Sequence, residues 1–330
     1  MPDTASASPD VRPFLDRLEH LPIGLFAAVM GLGGLTLATL RLEHHFGWQA
    51  GASVALLLLA AAVFAALATL YAIKGLRFPE AVAAEWCHPV KLAFFPTLSI
   101  SLILLGTAAF QLAPAVGAPL WAIGTLLQGV LTLAVVSMWI HAAHYEAPHL
   151  NPAWFIPAVG NVLVPLVAAP LGLIEIAWLF LSVGLVFWLV LLTLVFNRLV
   201  FHHPMPAHLL PTLCILVAPP AVAFLAYVGL NGGVDGFARI LYYPGLFFFA
   251  LVVIQAPKLV RLPFALSWWA YSFPLAALTV ATLVMAETLP SAPLAWLGIA
   301  LYLLLVAVVG VLVWRTVKAF AAGKVLQPHP

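Results

Sequence analysis

The sequence predicts an all-α membrane protein: ten transmembrane helices, paired as five helical hairpins in a quasi-five-fold ring, with the odd helices lining a central pore. Three observations lead to this fold class. Hydrophobic residues make up 65% of the 330 residues and charged residues only 7%, a balance that soluble domains do not have. The apolar residues fall into stretches of bilayer length. Proline is concentrated in every second one of these stretches.

Ten apolar stretches are each long enough to cross the hydrocarbon core of a bilayer. They are 21–41, 51–73, 92–112, 118–140, 153–173, 175–197, 208–230, 236–257, 264–286 and 294–317. Because the loops between them are short, consecutive helices should lie antiparallel, as hairpins. We expect one membrane domain over residues 21–317, between a cytoplasmic tail at 1–20 and a second one at 318–330. The first tail is polar and lacks the apolar core of a cleavable signal.

The distribution of lysine and arginine predicts the orientation, because cytoplasmic loops carry an excess of basic residues. If the N-terminus is inside, only Arg41 and Arg239 of the 13 basic residues fall outside. The others are Arg12, Arg17, Lys74, Arg77, Lys91, Arg198, Lys258, Arg261, Arg315, Lys318 and Lys324. We therefore expect a multi-pass protein of the inner (plasma) membrane with both termini in the cytoplasm. The net charge of +2 gives no indication of nucleic-acid binding.

Proline and glycine are shared unevenly between odd and even stretches. A proline frees a backbone carbonyl, which protein or water must then satisfy, so interrupted helices belong inside the protein or along a cavity. The positions that we select as pore-lining or kink candidates on this ground are Gly31, Pro96, Pro165, Pro219 and Pro274. Among the even stretches, only the eighth has an interior proline, Pro244. This bias favours an inner ring of odd helices, although proline is also commoner in membrane helices generally.

The ninth stretch presents one phenyl ring on a shallow helix face. Phe273 is followed at once by Pro274, where the helix should kink or open. Trp269, Ala270 and Ala277 share the helical face of Phe273, and beyond the tryptophan this face is small. Two interpretations fit the pattern. Small residues let helices pack closely while an aromatic ring fills the gap, or the ring obstructs a pore beside Ala270 and Ala277.

No charged residue falls at the centre of a predicted helix. Ion-coupled transporters usually carry an ionisable residue near the midplane, whereas an uncharged pore suits weak, fast and poorly selective passage. The pattern therefore favours a channel over a proton-coupled pump. Asp235 and Arg239 are four residues apart at the start of the eighth helix, a spacing that predicts a structural ion pair.

The sequence contains no motif typical of an enzyme, and we predict neither a cofactor nor a metal site. His141 and His144 lie in the loop after the fourth helix and could share a helix face for a metal or sense pH. A membrane enzyme or sensor built on these histidines is thus an alternative, but interfacial histidines commonly have no special role. Cys87 and Cys214 have no ligand spacing.

Several stretches, taken in order, are similar to those of a known family. They are LPIGLFAAVMGLGGL (21–35), AEWCHPVKLAFFP (84–96), FIPAVGNVLVPL (155–166), LVAPPAVAFLAYVGLNGGVDGFARILYYPG (216–245) and WWAYSFPLAAL (268–278). Through them the chain resembles the tellurite-resistance/dicarboxylate transporter family, which includes bacterial TehA-like proteins and the plant slow-type anion channels.

The resemblance implies a homotrimer in the lipid membrane with one pore per subunit, blocked by a phenylalanine of the ninth helix, which is Phe273 here. Pro274 stands where we expect glycine in bacterial relatives, so the local helix geometry should differ. The implied function is a channel for small inorganic anions such as chloride and nitrate. The alternative is a coupled transporter or exporter of tellurite, sulfite or C4-dicarboxylates.

Overall fold

The computed structural model describes residues 14–142 and 145–327, which form helices joined by short loops. The α-helices are Phe14–Arg17, Ala27–Phe46, Ala52–Arg77, Pro79–Cys87, Thr97–Leu112, Pro114–His141, Phe155–Val159, Pro165–Ala168, Ile174–Phe201, Ala218–Asn231, Gly236–Leu259, Ser272–Thr288 and Ala292–Ala321. The 3-10 helices are Leu18–His20, Ile23–Phe26, Lys91–Phe94, Ala147–His149, Pro152–Trp154, Gly160–Leu163, Ala207–Val217 and Leu266–Tyr271. These bounds confirm the all-α class for the described part of the chain.

Nine helical segments of the described residues are long and apolar enough to cross a membrane. They are Ile23–Phe46, Ala52–Arg77, Lys91–Leu112, Pro114–His141, Ile174–Phe201, Ala207–Asn231, Gly236–Leu259, Leu266–Thr288 and Ala292–Ala321. The predicted fifth helix is instead the shorter apolar stretch Pro152–Ala168, broken into alternating 3-10 and α-helical pieces. We count this stretch as the fifth segment and number the segments first to tenth in chain order. It stays a prediction that the fifth segment also crosses the membrane.

Burial separates odd from even segments, as the proline bias predicts. In the most apolar window of each long odd segment, between 67% and 83% of the residues are buried, against 17% to 28% in the even segments. Every residue of Pro152–Ala168 is buried except Leu166, which is partly buried. The odd segments therefore form the interior, and the even segments present apolar side chains outward, where lipid can cover them.

Contacts between segments close the inner ring. The first segment packs against the third and the ninth, the fifth against the third and the seventh, and the seventh against the ninth. Each odd segment also packs against the even segment that follows it in the chain. Five hairpins thus surround a common axis, with one odd helix from each hairpin on the inside.

The predicted prolines mark places where an odd segment changes from 3-10 to α-helix. Pro96 immediately precedes the helix Thr97–Leu112, and Pro165 is the first residue of Pro165–Ala168. Pro219 and Pro274 lie in the first turn of their α-helices. The first turn tolerates proline because its N–H groups lack the usual acceptor one turn back. The kink predicted at Pro274 is therefore a change of helix type.

One prediction about the even segments is wrong. The fourth helix begins at Pro114, four residues before its predicted start, so Pro119 lies inside it as Pro244 lies inside the eighth. Proline at position 114 is compatible with an early start because proline is well suited to the first residue of a helix.

A buried polar network holds the broken fifth segment. The carbonyl of Pro157 accepts hydrogen bonds from Gln128 Nε2 at 3.0 Å and from Thr132 Oγ1 at 2.8 Å. Asn161 Nδ2 donates to the Thr132 hydroxyl at 3.1 Å, and the Ser99 hydroxyl donates to Gln128 Oε1 at 2.7 Å. The side chains of the fourth segment thus satisfy a carbonyl that the interrupted helix leaves free.

Replacing Thr132 by valine should lower the free energy of unfolding by about 1 kcal/mol, because the substitution removes a buried hydrogen bond while nearly keeping the shape of the side chain. Thr193→Val is the matched control, since Thr193 is exposed and its hydroxyl bonds to the Leu189 carbonyl of its own helix. The measurement is the thermal unfolding midpoint of each purified variant in detergent. Equal midpoints for the two variants would contradict a stabilising role of the network.

Candidate pore

A cavity of about 620 Å³ lies inside the ring of odd segments. We call it the chamber. Every odd segment contributes to its wall, and the remaining lining residues come from the connections before the third and ninth segments and from Pro22, just before the first segment. Residues of the even segments are absent from the lining that the described chain provides. Met30, Ile100, Leu163, Val222 and Phe273 represent the five odd segments in chain order. The wall is largely apolar, and the cavity lies between the inner helices.

Phe273 lies where the chamber ends along the ninth segment. That segment lines the chamber from Leu266 to Pro274 and contributes no later residue. The phenyl ring is partly buried and packs against the apolar core. Of the other predicted pore residues, Ala270, Pro274 and Pro219 also line the chamber. The chamber therefore brings the proposed obstruction and three of its predicted neighbours together.

Four other predicted positions do not line the chamber. Ala277 is 5% exposed and lies one turn beyond Phe273. Gly31 faces the Ser272 hydroxyl across a close contact between the first and ninth segments, so it is a packing position. Pro96 and Pro165 are buried at the starts of their α-helices. Both prolines were predicted to interrupt a helix or to line a pore. The structure shows the interruption at both, but neither proline lines the chamber.

The mouth of the chamber carries its charged and titratable residues. Glu85, His88, Lys91 and His208 line it, and both histidines are exposed. The His88 side chain is exposed in part only: its partial desolvation lowers the pKa of His88 below its usual value, and the nearby Lys91 adds to this shift, since both disfavour a charged imidazole. His88 Nδ1 also accepts hydrogen bonds from the backbone N–H groups of Val90 and Lys91, at 3.1 Å and 3.2 Å.

A buried lysine neutralises the only carboxylate among the lining residues of the described chain. Lys74 Nζ lies 2.8 Å from Glu85 Oε2, and the side chains are 2% and 10% exposed. Lys74 also donates to the Leu21 carbonyl at 2.8 Å, and the Tyr71 hydroxyl donates to Glu85 at 2.8 Å. The backbone N–H of Ile23 is 3.4 Å from Glu85 Oε1. This cluster ties the short helix Pro79–Cys87 to the start of the first segment and leaves Lys91 as the unneutralised charge at the mouth.

Sequence reasoning missed this cluster. The predicted helices 51–73 and 92–112 leave both Lys74 and Glu85 in the loop between them, and no helical spacing relates the two because the turn at Phe78 and Pro79 separates their helices. The available signal was weak: one lysine within the last turn of an apolar helix, followed by an acidic residue in a short amphipathic stretch.

The predicted ion pair between Asp235 and Arg239 is absent from the described part of the molecule. The Asp235 carboxylate instead caps the eighth segment, accepting a hydrogen bond from the Ala238 N–H at 2.8 Å, and accepts another from the Tyr227 hydroxyl at 2.7 Å. The hydrogen bond from Ala238, and after it the one from Tyr227, lower the pKa of Asp235. Arg239 is exposed. The helix N-terminus competes for the carboxylate because its unpaired N–H groups lie closer than a side chain one turn away.

His141 is exposed, and its Nδ1 lies 2.8 Å from the Ser137 carbonyl of its own helix. His144 lies outside the described residues, so the predicted pairing of the two histidines has no structural test. Within the described ranges, the side chains of His, Cys, Asp and Glu form no group of three that could hold a metal ion.

These observations define a multi-pass membrane protein with a largely apolar cavity inside a ring of interrupted helices. Residues 20–317 match the family described as voltage-dependent anion channel, and the chain belongs to that family. The membership confirms the resemblance to TehA-like proteins and plant slow-type anion channels, and it assigns the chain to anion transport.

Several relatives cover most of the chain. A protein of Haemophilus influenzae described as tellurite resistance protein TehA homolog is 30% identical over 265 residues, which are 78% of this chain and 79% of the relative. The guard cell S-type anion channel SLAC1 of Arabidopsis thaliana is 26% identical over 96% of this chain and 58% of its own length. An uncharacterized transporter of Methanocaldococcus jannaschii is 25% identical over 96% of this chain and 98% of the relative.

Proposed function

We propose that the protein is a channel that passes small monovalent anions, chloride and nitrate among them, through an uncharged pore within each subunit, and that Phe273 is the gate. The observation that carries this proposal is the chamber: among the ten numbered segments of the described chain only the odd ones line it, and its lining along the ninth segment ends at Phe273 and Pro274. An apolar constriction of this kind can block ions without a covalent or charged barrier, because it excludes the water that an ion needs.

Helix direction supports a preference for anions. The odd segments begin at Ile23, Lys91, Pro152, Ala207 and Leu266, and the chamber lining includes residues at or near these starts. All of them therefore direct their N-terminal ends toward the mouth. A helix N-terminus carries a partial positive charge and unpaired N–H groups, both of which favour anions. Lys91 adds a full positive charge at the same end, while Lys74 cancels the charge of Glu85.

The uncharged wall beyond the mouth determines the expected selectivity. With no charged side chain of the described residues lining the chamber near Phe273, an ion that enters must give up hydration water for weak dipoles. We expect permeability to rise as anion hydration falls, with nitrate above chloride. Reversal potentials of the purified protein in a planar bilayer, under nitrate and chloride gradients, measure this order. A strong preference for a dianion would contradict the proposal.

A coupled transporter or exporter of tellurite, sulfite or C4-dicarboxylates is the second candidate. The description of the Haemophilus relative as a tellurite resistance protein favours it. Measurements on the protein reconstituted in liposomes distinguish the two functions. A coupled transporter would accumulate its substrate under a proton gradient and show no conductance. The absence of a midplane carboxylate or basic residue from the sequence makes proton coupling by the protein itself difficult.

We further propose a homotrimer with a pore in each subunit, set in the plasma membrane with both termini in the cytoplasm. The one-sided distribution of lysine and arginine supports this orientation. It places the mouth of the chamber, with Lys91 and His208, on the cytoplasmic side. Modification of single cysteines introduced at Arg77 and at Trp48, by a reagent that cannot cross the membrane, would test the orientation in intact cells.

A further inference from the structure

The first segment faces the ninth through glycines instead of side chains. A Cβ atom built at Gly31 would clash with the Ser272 hydroxyl oxygen. A Cβ at Gly34, one turn later, would lie 2.8 Å from the Cβ of Ala276 and 3.4 Å from Cδ2 of Phe273. Neither glycine has a positive φ. The requirement for glycine at these positions is therefore space, and the space at Gly34 is beside the Phe273 ring.

We propose that Gly34 is a positioning residue for Phe273: its missing side chain lets the ninth segment approach the first segment closely enough to hold the phenyl ring at the end of the chamber. The inference rests on Phe273 being the gate. Gly34 does not line the chamber, so it acts on the passing ion only through the position of the ninth segment.

The neighbours of Gly34 determine what a methyl group there would do. The 2.8 Å approach is to Ala276, whose Cβ is fixed to the backbone and cannot turn away by a change of rotamer. The helices must therefore separate, because cores do not compress to absorb an added methyl group. The ninth segment belongs to a closed ring, so a wider spacing from the first segment enlarges the ring at the level of Phe273. Gly34→Ala should partly open the pore.

Gly33 provides a matched control on the same helix. A Cβ at Gly33 would meet only Leu104 of the third segment, whose Cβ is the nearest atom at 3.2 Å. This approach is longer than the 2.8 Å approach at Gly34, and a shift of a few tenths of an ångström relieves it. Gly33→Ala therefore adds the same methyl group to the same buried helix, on a face that points away from Phe273.

The experiment measures the conductance of the wild type, Gly34→Ala, Gly33→Ala, Phe273→Ala and the double variant Gly34→Ala/Phe273→Ala in planar bilayers. We expect Gly34→Ala to lie above the wild type and below Phe273→Ala, and Gly33→Ala to match the wild type. In the Phe273→Ala background, Gly34→Ala should cause no further rise, because no ring is left to position. Equal conductance of Gly34→Ala and Gly33→Ala would overturn the inference. So would a Gly34→Ala substitution that changes the conductance by the same factor in the wild type and in the Phe273→Ala background.

A compensating variant keeps the test decisive if Gly34→Ala folds poorly. Gly34→Ala/Ala276→Gly removes the 2.8 Å approach and should return the conductance to the wild-type level. If this double variant folds and remains more conductive than the wild type, the proposal that the added methyl group acts by separating the first and ninth segments is overturned. Failure of the proposed gate is a separate result: Phe273→Ala would then match the wild type, whatever Gly34→Ala does.

Discussion

Replacing Phe273 by alanine is expected to raise the anion conductance of the protein by roughly a hundredfold, if the phenyl ring adds about 3 kcal/mol to the barrier for permeation. The ring lies one residue before the last position where the ninth segment lines the chamber. Truncation to a methyl group removes an apolar obstruction from a wall that is otherwise uncharged, so water and ions could occupy the space. The measurement is single-channel or macroscopic current of wild type and variant in the same planar bilayer system.

Phe94→Ala is the control for removing an aromatic ring from the same chamber. Phe94 also lines the chamber but belongs to the 3-10 helix at the start of the third segment, near the mouth. Because resistance concentrates at the narrowest point of a pathway, widening the mouth should change the current little. Currents from Phe273→Ala that equal those of the wild type would remove the gate from the proposal, while the family membership would stand.

The ring of odd segments could be predicted from the sequence because its cause is local. Pro96, Pro165, Pro219 and Pro274 each interrupt a helix, and an interrupted helix cannot face lipid without leaving a carbonyl unsatisfied. This constraint acts at the level of single residues, so it is visible without knowing which helices touch. Burial and contacts of the described segments agree with it.

The features that escaped prediction depend on which side chains meet after packing. Gln128 lies on the buried face of a segment that is mostly exposed, and its partner, the Pro157 carbonyl, is free only because the fifth segment breaks. The predicted partner of Asp235 was reasonable from spacing, but the N–H of Ala238 competes successfully. Gly31 was selected as a pore position because glycine and proline were treated alike, whereas the structure uses this glycine for close helix packing.

Lys74→Met should destabilise the protein by about 3–5 kcal/mol, because it leaves Glu85 as an uncompensated charge in a largely buried position. The two side chains are 2% and 10% exposed, with Lys74 Nζ 2.8 Å from Glu85 Oε2. Arg77→Met is the matched control: Arg77 lies on the same helix, three residues later, and is exposed. Its loss should change the free energy of unfolding by less than about 0.5 kcal/mol. Thermal or denaturant unfolding in detergent compares the variants.

The double variant Lys74→Met/Glu85→Gln tests whether charge is the cause. Glutamine keeps an oxygen for the Tyr71 hydroxyl but carries no charge, so the double variant should be more stable than Lys74→Met alone, a coupling that a double-mutant cycle measures. The same cycle has a functional readout, because Glu85 lines the mouth of the chamber. An unpaired carboxylate there repels anions, so Lys74→Met should lower the anion current per folded protein and Glu85→Gln should restore it. A double variant no more stable and no more conductive than Lys74→Met would show that Lys74 acts by packing, without neutralising the mouth.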